Sequence, residues 1–109
     1  MSNINADAGR WSQLTICEQL GSVGVEVSEA IKWMRLNDSE QKEQALMRAF
    51  ELLNLTIADK RWHNHRLREL CLARALLADF FYGKNEFHET AEKLEKYFFE
   101  FAVAARKNC

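Results

Sequence analysis

Three histidines, His63, His65 and His88, are the side chains best suited to catalysis or metal binding in this sequence. A carboxylate-bridged metal centre in a helical bundle needs Glu-x-x-His pairs, which place two ligands on successive turns of one helix. No such pair occurs here. Helical ribonucleases need an arginine that is separated from a following histidine by about four to six residues, for phosphate charge and proton transfer. No arginine stands at that spacing, so neither a metal site nor this nuclease is predicted.

The glycines give no catalytic loop either. Gly21 and Gly24 lie inside a helical pattern and lack the neighbours of a phosphate-binding loop. No nucleophile elbow is present. We therefore predict a protein that is not an enzyme and that binds no cofactor.

The segment 60–68 is the densest positive stretch, and it contains an aromatic side chain. Cations beside an aromatic ring can hold phosphate and stack a base, so a nucleic-acid-associated regulator is one hypothesis. The alternative is a solvated loop whose charges pair locally. The net charge of −1 favours that alternative, because it gives no general basic field. The residues of this basic patch are Lys60, Arg61, Trp62, Arg66 and Arg68.

Arg74 is the most informative single residue. Helical spacing places it on an apolar face with Leu70 and Ala78. A buried guanidinium keeps its charge, so it needs carboxylates or carbonyls beside it. We expect a buried salt bridge that fixes the register of the bundle, with a small-ligand or anion site, or extension to solvent, as alternatives. The candidate partners are Glu26, Glu51 and Glu69.

Helical periodicity recurs four times along the chain. Short connections between the segments predict an all-α, up-down-up-down four-helix bundle. We expect a single domain over 11–109 and a flexible tail over 1–10. The predicted helices cover 16–36, 40–58, 66–81 and 90–106.

The expected helix ends carry specific signals. Thr15 and Glu18 form a capping-box pattern at the first helix. Asp38 or Ser39 is expected to cap the second helix. Gly83 is expected to end the third helix in a left-handed conformation.

Length and composition are typical of one soluble domain. The chain has 109 residues, of which 48% are hydrophobic and 28% charged. No apolar run reaches the roughly 18 residues that a membrane span requires. Three widely spaced cysteines are unlike a secreted disulfide scaffold, and they predict thiols in a reducing cytoplasm.

One set of residues, spread over the four helical segments, forms a recognisable pattern. It consists of Trp11, 18–20, 24–27, 30–33, 48–57, 66–69, Arg74, 79–83, Asn85, Glu86, Tyr97, Phe98, Phe101, Ala105 and Arg106. In these residues the chain resembles a group of small, all-helical prokaryotic proteins that have no assigned activity. The resemblance covers most of the chain, and it implies a four-helix fold. The chain departs from the family pattern over 21–26, and it has Asn54 where the family has Asp.

Several large apolar residues lie away from the apolar stripes of their own helices. Contiguous exposed apolar surface usually marks an interface, and two-fold dimers are the commonest assembly. We therefore expect a cytoplasmic helical interaction module that forms a homodimer, or that binds another protein. Bending of the bundle, which would bury some of these residues, is the alternative. The expected contacts are Trp33, Leu55, Phe99 and Val103, and Val25 and Leu76 share the pattern.

Overall fold

The computed structural model describes residues 8–107 and shows helices without strands in that range, which confirms the all-α prediction. Four long helices form the bundle, and each lies within one residue of its predicted bounds at either end. The helices are α1 (Ala8–Trp11), α2 (Ile16–Arg35), α3 (Ser39–Ala58), α4 (Leu67–Tyr82) and α5 (Ala91–Arg106), with a 3-10 turn at Lys60–Trp62.

The predicted tail, 1–10, overlaps the first helix. α1 begins at Ala8, so the last three residues of that segment are helical. Residues 1–7 of the tail lie outside the described range. None of the helices within 8–107 has the length and hydropathy to cross a membrane.

Helix ends follow local side-chain chemistry. The capping box at Thr15 and Glu18 is present in full, and the Asp38 side chain accepts from the Gln41 N–H. Gly83 contradicts its prediction, since its φ is −98° and not left-handed. A Cβ there would lie 3.0 Å from a carboxylate oxygen of Asp79, so close packing accounts for the glycine.

Contacts between helices show the direction in which neighbours run. Gly21, near the start of α2, approaches Ala102, near the end of α5. Arg35, at the end of α2, pairs with Glu92, near the start of α5. α2 and α5 are therefore antiparallel. Cross-helix hydrogen bonds show the same reversal between α2 and α3 and between α3 and α4, as in an up-down-up-down bundle.

One hydrophobic core joins the four long helices. Half-buried aromatic side chains pack around it, and the removal of this apolar surface from water supplies the main driving force for folding. The buried members are Ile16, Cys17, Leu20, Val23, Val27, Ile31, Ala49, Leu53, Leu70, Ala73, Leu77, Leu94 and Phe98.

The cysteines differ from one another. Cys71 is a free, exposed thiol on α4, as predicted. Cys17 is disulfide-bonded, so the expectation of a thiol is wrong there. Cys109 lies outside the described residues.

α2 and α5 approach each other closely at Gly24. A Cβ built on Gly24 would lie 2.7 Å from the Cβ of Phe98, a distance that real contacts do not show. The corresponding Cβ on Gly21 would lie 3.2 Å from the Cα of Ala102. The two helices therefore pack together because α2 has no side chain at these positions.

We expect Gly24→Ala to lower the free energy of unfolding by about 1–2 kcal/mol. Overpacking costs roughly 1–3 kcal/mol, which exceeds the ~1 kcal/mol that alanine gains over glycine in helix propensity. Urea unfolding followed by circular dichroism measures the change. Gln44→Ala, at an exposed position of α3, is the control and should shift stability by less than about 0.5 kcal/mol. An unfolding free energy for Gly24→Ala equal to or above that of the parent would show that the contact relaxes without cost.

Candidate functional site

An apolar face runs along the α2–α5 boundary. Val25 and Phe99 stand on it with 62% and 59% of their surface exposed. Between the helices lies an open groove of about 250 Å³. Small residues at the points where α2 and α5 approach closely form part of the lining of this groove. We name this surface the α2/α5 face, which consists of Gly21, Gly24, Val25, Ser28, Glu29, Glu95, Phe98, Phe99 and Ala102.

A second groove continues the α2/α5 face toward the start of α2. It has a volume of about 370 Å³ and shares Gly21, Val25 and Ala102 with the first groove. Leu14 and Ala105 extend its apolar lining. The two grooves therefore form one continuous, shallow surface along both helices.

Charged side chains lie at opposite ends of the same face. Arg35 contacts Glu92 at 2.7 Å and Glu95 at 3.8 Å near the start of α5. Arg106, at the other end of α5, is exposed and forms no ion pair within residues 8–107. The helix thus has the carboxylate of Glu95 before its exposed phenylalanine, and after it the guanidinium of Arg106, which has no ion-pair partner among residues 8–107.

The four predicted interface residues do not share one face. Phe99 is exposed on the α2/α5 face, and Val103, four residues later, is half-buried. Trp33 is half-buried and lies seven residues after Glu26, which pairs with Arg48 of α3, so it faces the α3 side of α2. Leu55 is also half-buried, on α3. Phe99 is therefore the one of the four whose side chain is mostly exposed.

Arg74 contradicts its prediction of burial. The inner stripe of α4 consists of Leu70, Ala73 and Leu77, so Arg74 lies at the edge of the helix and is exposed. Its Nε donates to Asn54 at 3.0 Å, and its guanidinium lies 5.1 Å from the ring centroid of Phe50.

The predicted carboxylate partners of Arg74 lie elsewhere. Glu26 accepts from Arg48 at 2.9 Å, and Glu69 lies 3.8 Å from Arg66 on the same helix. Glu51 is exposed on α3. The expected buried salt bridge at Arg74 is therefore wrong, and the exposed position of the residue gives no enclosed anion site.

We expect Arg74→Ala to cost about 1 kcal/mol or less of unfolding free energy. The substitution removes one exposed hydrogen bond and one exposed cation–π contact. The loss of one partner of a buried ion pair would cost roughly 3–5 kcal/mol instead. Urea unfolding distinguishes the two values, with Arg68→Ala, an exposed arginine of the same helix, as the control. A loss above about 3 kcal/mol would restore the buried-pair interpretation.

Local contacts occupy much of the basic patch. Arg61 contacts Asp59 at 2.7 Å and donates to the Leu14 carbonyl at 2.7 Å. Its guanidinium also lies 4.4 Å from the centroid of the Trp62 ring. Arg66 pairs with Glu69, whereas Lys60 and Arg68 are exposed.

These contacts favour the local-pairing interpretation of the 60–68 segment. The Arg61 guanidinium has a carboxylate and a carbonyl as partners, and its cation already stacks on the indole. A phosphate or a base would have to displace them. The nucleic-acid hypothesis therefore gains no support from the geometry of this segment.

A buried polar network joins this segment to α1, α2 and α3. Gln19 is 0% exposed, and its Nε2 donates to the Trp11 carbonyl at 2.8 Å and to Asp59 at 3.2 Å. Its Oε1 accepts from the Trp62 ring N–H at 2.9 Å. The Trp11 ring N–H donates to Thr56, which is also buried. None of these contacts is among the predictions made from the sequence.

The polar network is fully satisfied. Every buried side-chain nitrogen and oxygen among residues 8–107 has a hydrogen-bond partner. A signal for it exists in the sequence, because Gln19 falls on the apolar stripe of α2, between Ile16 and Val23. A polar residue at such a position requires internal partners.

The Asp59 carboxylate is the charged member of this network. Its side chain is 6% exposed. Hydrogen bonds from Arg61 hold its pKa at about 2, below its ordinary value of 3.8. The same contact raises the pKa of Arg61. Since the folded-state pKa is lowered, the stabilisation is present above about pH 4 and is lost as the pH falls toward 2.

We expect Asp59→Asn to remove this part of the acid sensitivity. Between pH 5 and pH 2 the parent should lose about 1–2 kcal/mol more unfolding free energy than the variant, allowing for solvent screening at the exposed Arg61. Urea unfolding at stepped pH values measures the difference. Glu51→Gln, which removes an exposed carboxylate outside the network, should retain the acid sensitivity of the parent. Parallel pH profiles for the parent and Asp59→Asn would contradict the assignment.

Neither a metal centre nor a known relative accounts for these features. Across residues 8–107, no three His, Cys, Asp or Glu side chains form a group that could hold a metal ion. In comparisons with known proteins, no family model, no curated protein and no solved structure matches the chain. The resemblance to small all-helical prokaryotic proteins therefore stays a prediction.

Proposed function

We propose that this chain is a non-enzymatic helical interaction module that self-associates through its α2/α5 face. The observation that carries the proposal is the pair of exposed apolar residues, Val25 and Phe99, on a continuous groove. Contiguous apolar surface with a polar border is typical of protein–protein interfaces. The face contains both features.

The shape of the face supports a helical partner. Glycine and alanine line the groove, so the backbones of α2 and α5 are close to the surface there. A helix docked on such a groove can place large side chains between the two helices. The face is two helices wide and about 24 Å long, from the length of α5 at 1.5 Å per residue.

The distribution of apolar surface favours this face over the others. Exposed large apolar residues also occur at Leu36, Met47, Leu72, Tyr82 and Phe87, but these lie outside the face and line neither groove. Isolated exposed apolar residues are normal on soluble proteins. The α2/α5 face differs because its exposed residues border a groove with an apolar lining.

We expect the parent protein to have a solution mass of about 25 kDa, twice the 12.7 kDa of one chain. Phe99→Ser should weaken the dimer at least about thirtyfold, because a buried aromatic ring contributes much of the energy of a small interface. Sedimentation or light scattering over a concentration series measures the effect. Circular dichroism establishes that the variant is folded.

Leu72→Ser is the matched control. It removes an exposed apolar side chain from α4, outside the α2/α5 face, and should leave the dimer intact. A parent that is monomeric at all concentrations contradicts the proposal. Equal effects of the two substitutions would also contradict it, because they would show that the face has no special role.

A further inference from the structure

The outward stripe of α5 has a self-complementary order of residues. Glu95, Phe99, Ala102 and Arg106 follow one another at intervals of four, three and four. This spacing places them on one side of the helix, as in the contact seam of a coiled coil. The first three line the groove of the α2/α5 face, and Arg106 continues the stripe.

We propose that two copies of this chain pair through α5 in antiparallel orientation. Along the helix, the two-fold axis lies level with the midpoint between positions 100 and 101, on the side that carries the stripe. This inference rests on the proposed function, and it adds the register and the residues that recognise one another. Phe99 and Ala102 are equally far from the axis, so each phenylalanine faces the alanine of the other copy. Glu95 and Arg106 are also equally far, so opposite charges meet at both ends.

The surroundings of Ala102 fit the phenyl ring that this register delivers. Ala102 lies against Gly21, because a Cβ built on Gly21 would be 3.2 Å from the Cα of Ala102. Neither helix therefore has a long side chain at this point. The groove there has about 250 Å³ of space, which is larger than a phenyl ring. Phe99 projects from the same helix with most of its surface exposed. Each copy therefore offers a large side chain and a space for one.

The charges at the two ends of the stripe are free to pair across copies. Glu95 lies 3.8 Å from Arg35, but Arg35 has a shorter contact with Glu92 at 2.7 Å. Arg106 is exposed and makes no ion pair inside the described part of the chain. Antiparallel pairing gives Arg106 a partner and gives Glu95 a second cation.

Other symmetric pairings of the same face are less favourable. α2 has a parallel stripe with the same spacing, which consists of Glu18, Ser22, Val25 and Glu29. A two-fold pairing of α2 would place Glu18 opposite Glu29, and like charges at those positions repel. A parallel pairing of α5 would place Glu95 of one copy beside Glu95 of the other, and these like charges also repel. Charge complementarity thus favours the antiparallel α5 pairing.

Charge exchange between the two ends tests this register. Glu95→Arg alone places two cations at each contact, and Arg106→Glu alone places two carboxylates there. Each single variant should weaken the dimer about tenfold or more, because attraction becomes repulsion at two symmetric sites. The double variant Glu95→Arg/Arg106→Glu has opposite charges again and should dimerise within about threefold of the parent.

Mixing the two single variants gives a second, independent test. In the mixed dimer, the guanidinium introduced at position 95 of one chain would face the carboxylate introduced at position 106 of the other. The native pair would form at the opposite end. An equimolar mixture should therefore form a dimer of about 25 kDa at concentrations where each variant alone has a mass of about 13 kDa. Glu100→Arg and Lys93→Glu make changes in charge on the opposite side of α5, and they should not alter the dimer.

The outcomes separate the register from the proposed function. If Phe99→Ser dissociates the dimer but the charge variants do not, the face is correct and the antiparallel α5 register is wrong. If the single charge variants dissociate but neither the double variant nor the mixture restores the dimer, the register is also wrong. A monomeric parent overturns both proposals.

Discussion

The close approach of α2 and α5 at Gly24 is the constraint on which the rest of the structure depends. The absence of a side chain at this position lets Phe98 occupy the interior beside α2. The buried Phe98 ring then packs edge to face with Tyr97 at a centroid distance of 5.1 Å. The outer surface follows from the same approach, since glycine and alanine leave a groove where other residues would fill it. One steric condition therefore produces both a core contact and an exposed face.

At the end of the bundle where α1, α2 and α3 meet, the structure depends on a buried polar side chain and its hydrogen bonds. Gln19 is buried in an otherwise apolar layer, so all its hydrogen-bonding atoms need partners. Trp11, Asp59 and Trp62 supply them from three separate segments. A network of this kind contributes to specificity, because another arrangement of the segments would leave the amide unsatisfied. The core defines which helices pack together, and Gln19 defines where the segments around them lie.

Local features of the fold could be predicted from the sequence, because local chemistry determines them. The Thr15 capping box and the α3 cap at Asp38 depend on residues within one turn. Arg74 shows where this reasoning fails. α4 is apolar on nearly all sides, so a helical wheel could not identify the side that faces the core. The true inner stripe contains Leu70 and Ala73, and it leaves Arg74 at the edge, facing Asn54.

The candidate site was only partly predictable. The position of Phe99 off the apolar stripe identifies it, but Trp33 and Leu55 show the same pattern although they lie on other sides of the bundle. The side of the bundle on which each of these residues lies depends on which helices are neighbours, and no local sequence pattern contains that information. The glycine and alanine lining of the groove also gives no signal in the sequence, because small residues in helices serve many roles.

The Gln19 network has a consequence for the optical properties of the protein. Two of the three indoles, those of Trp11 and Trp62, donate hydrogen bonds at the same end of the bundle. Trp33 lies near the far end of α2, where the ammonium group of Lys32 is 4.7 Å from its ring centroid. Local opening at the Gln19 end would place two fluorophores in water together while the third keeps its surroundings. The intrinsic emission of the chain therefore reports mainly on one end of the molecule, and a partial loss of structure there is visible without any added label.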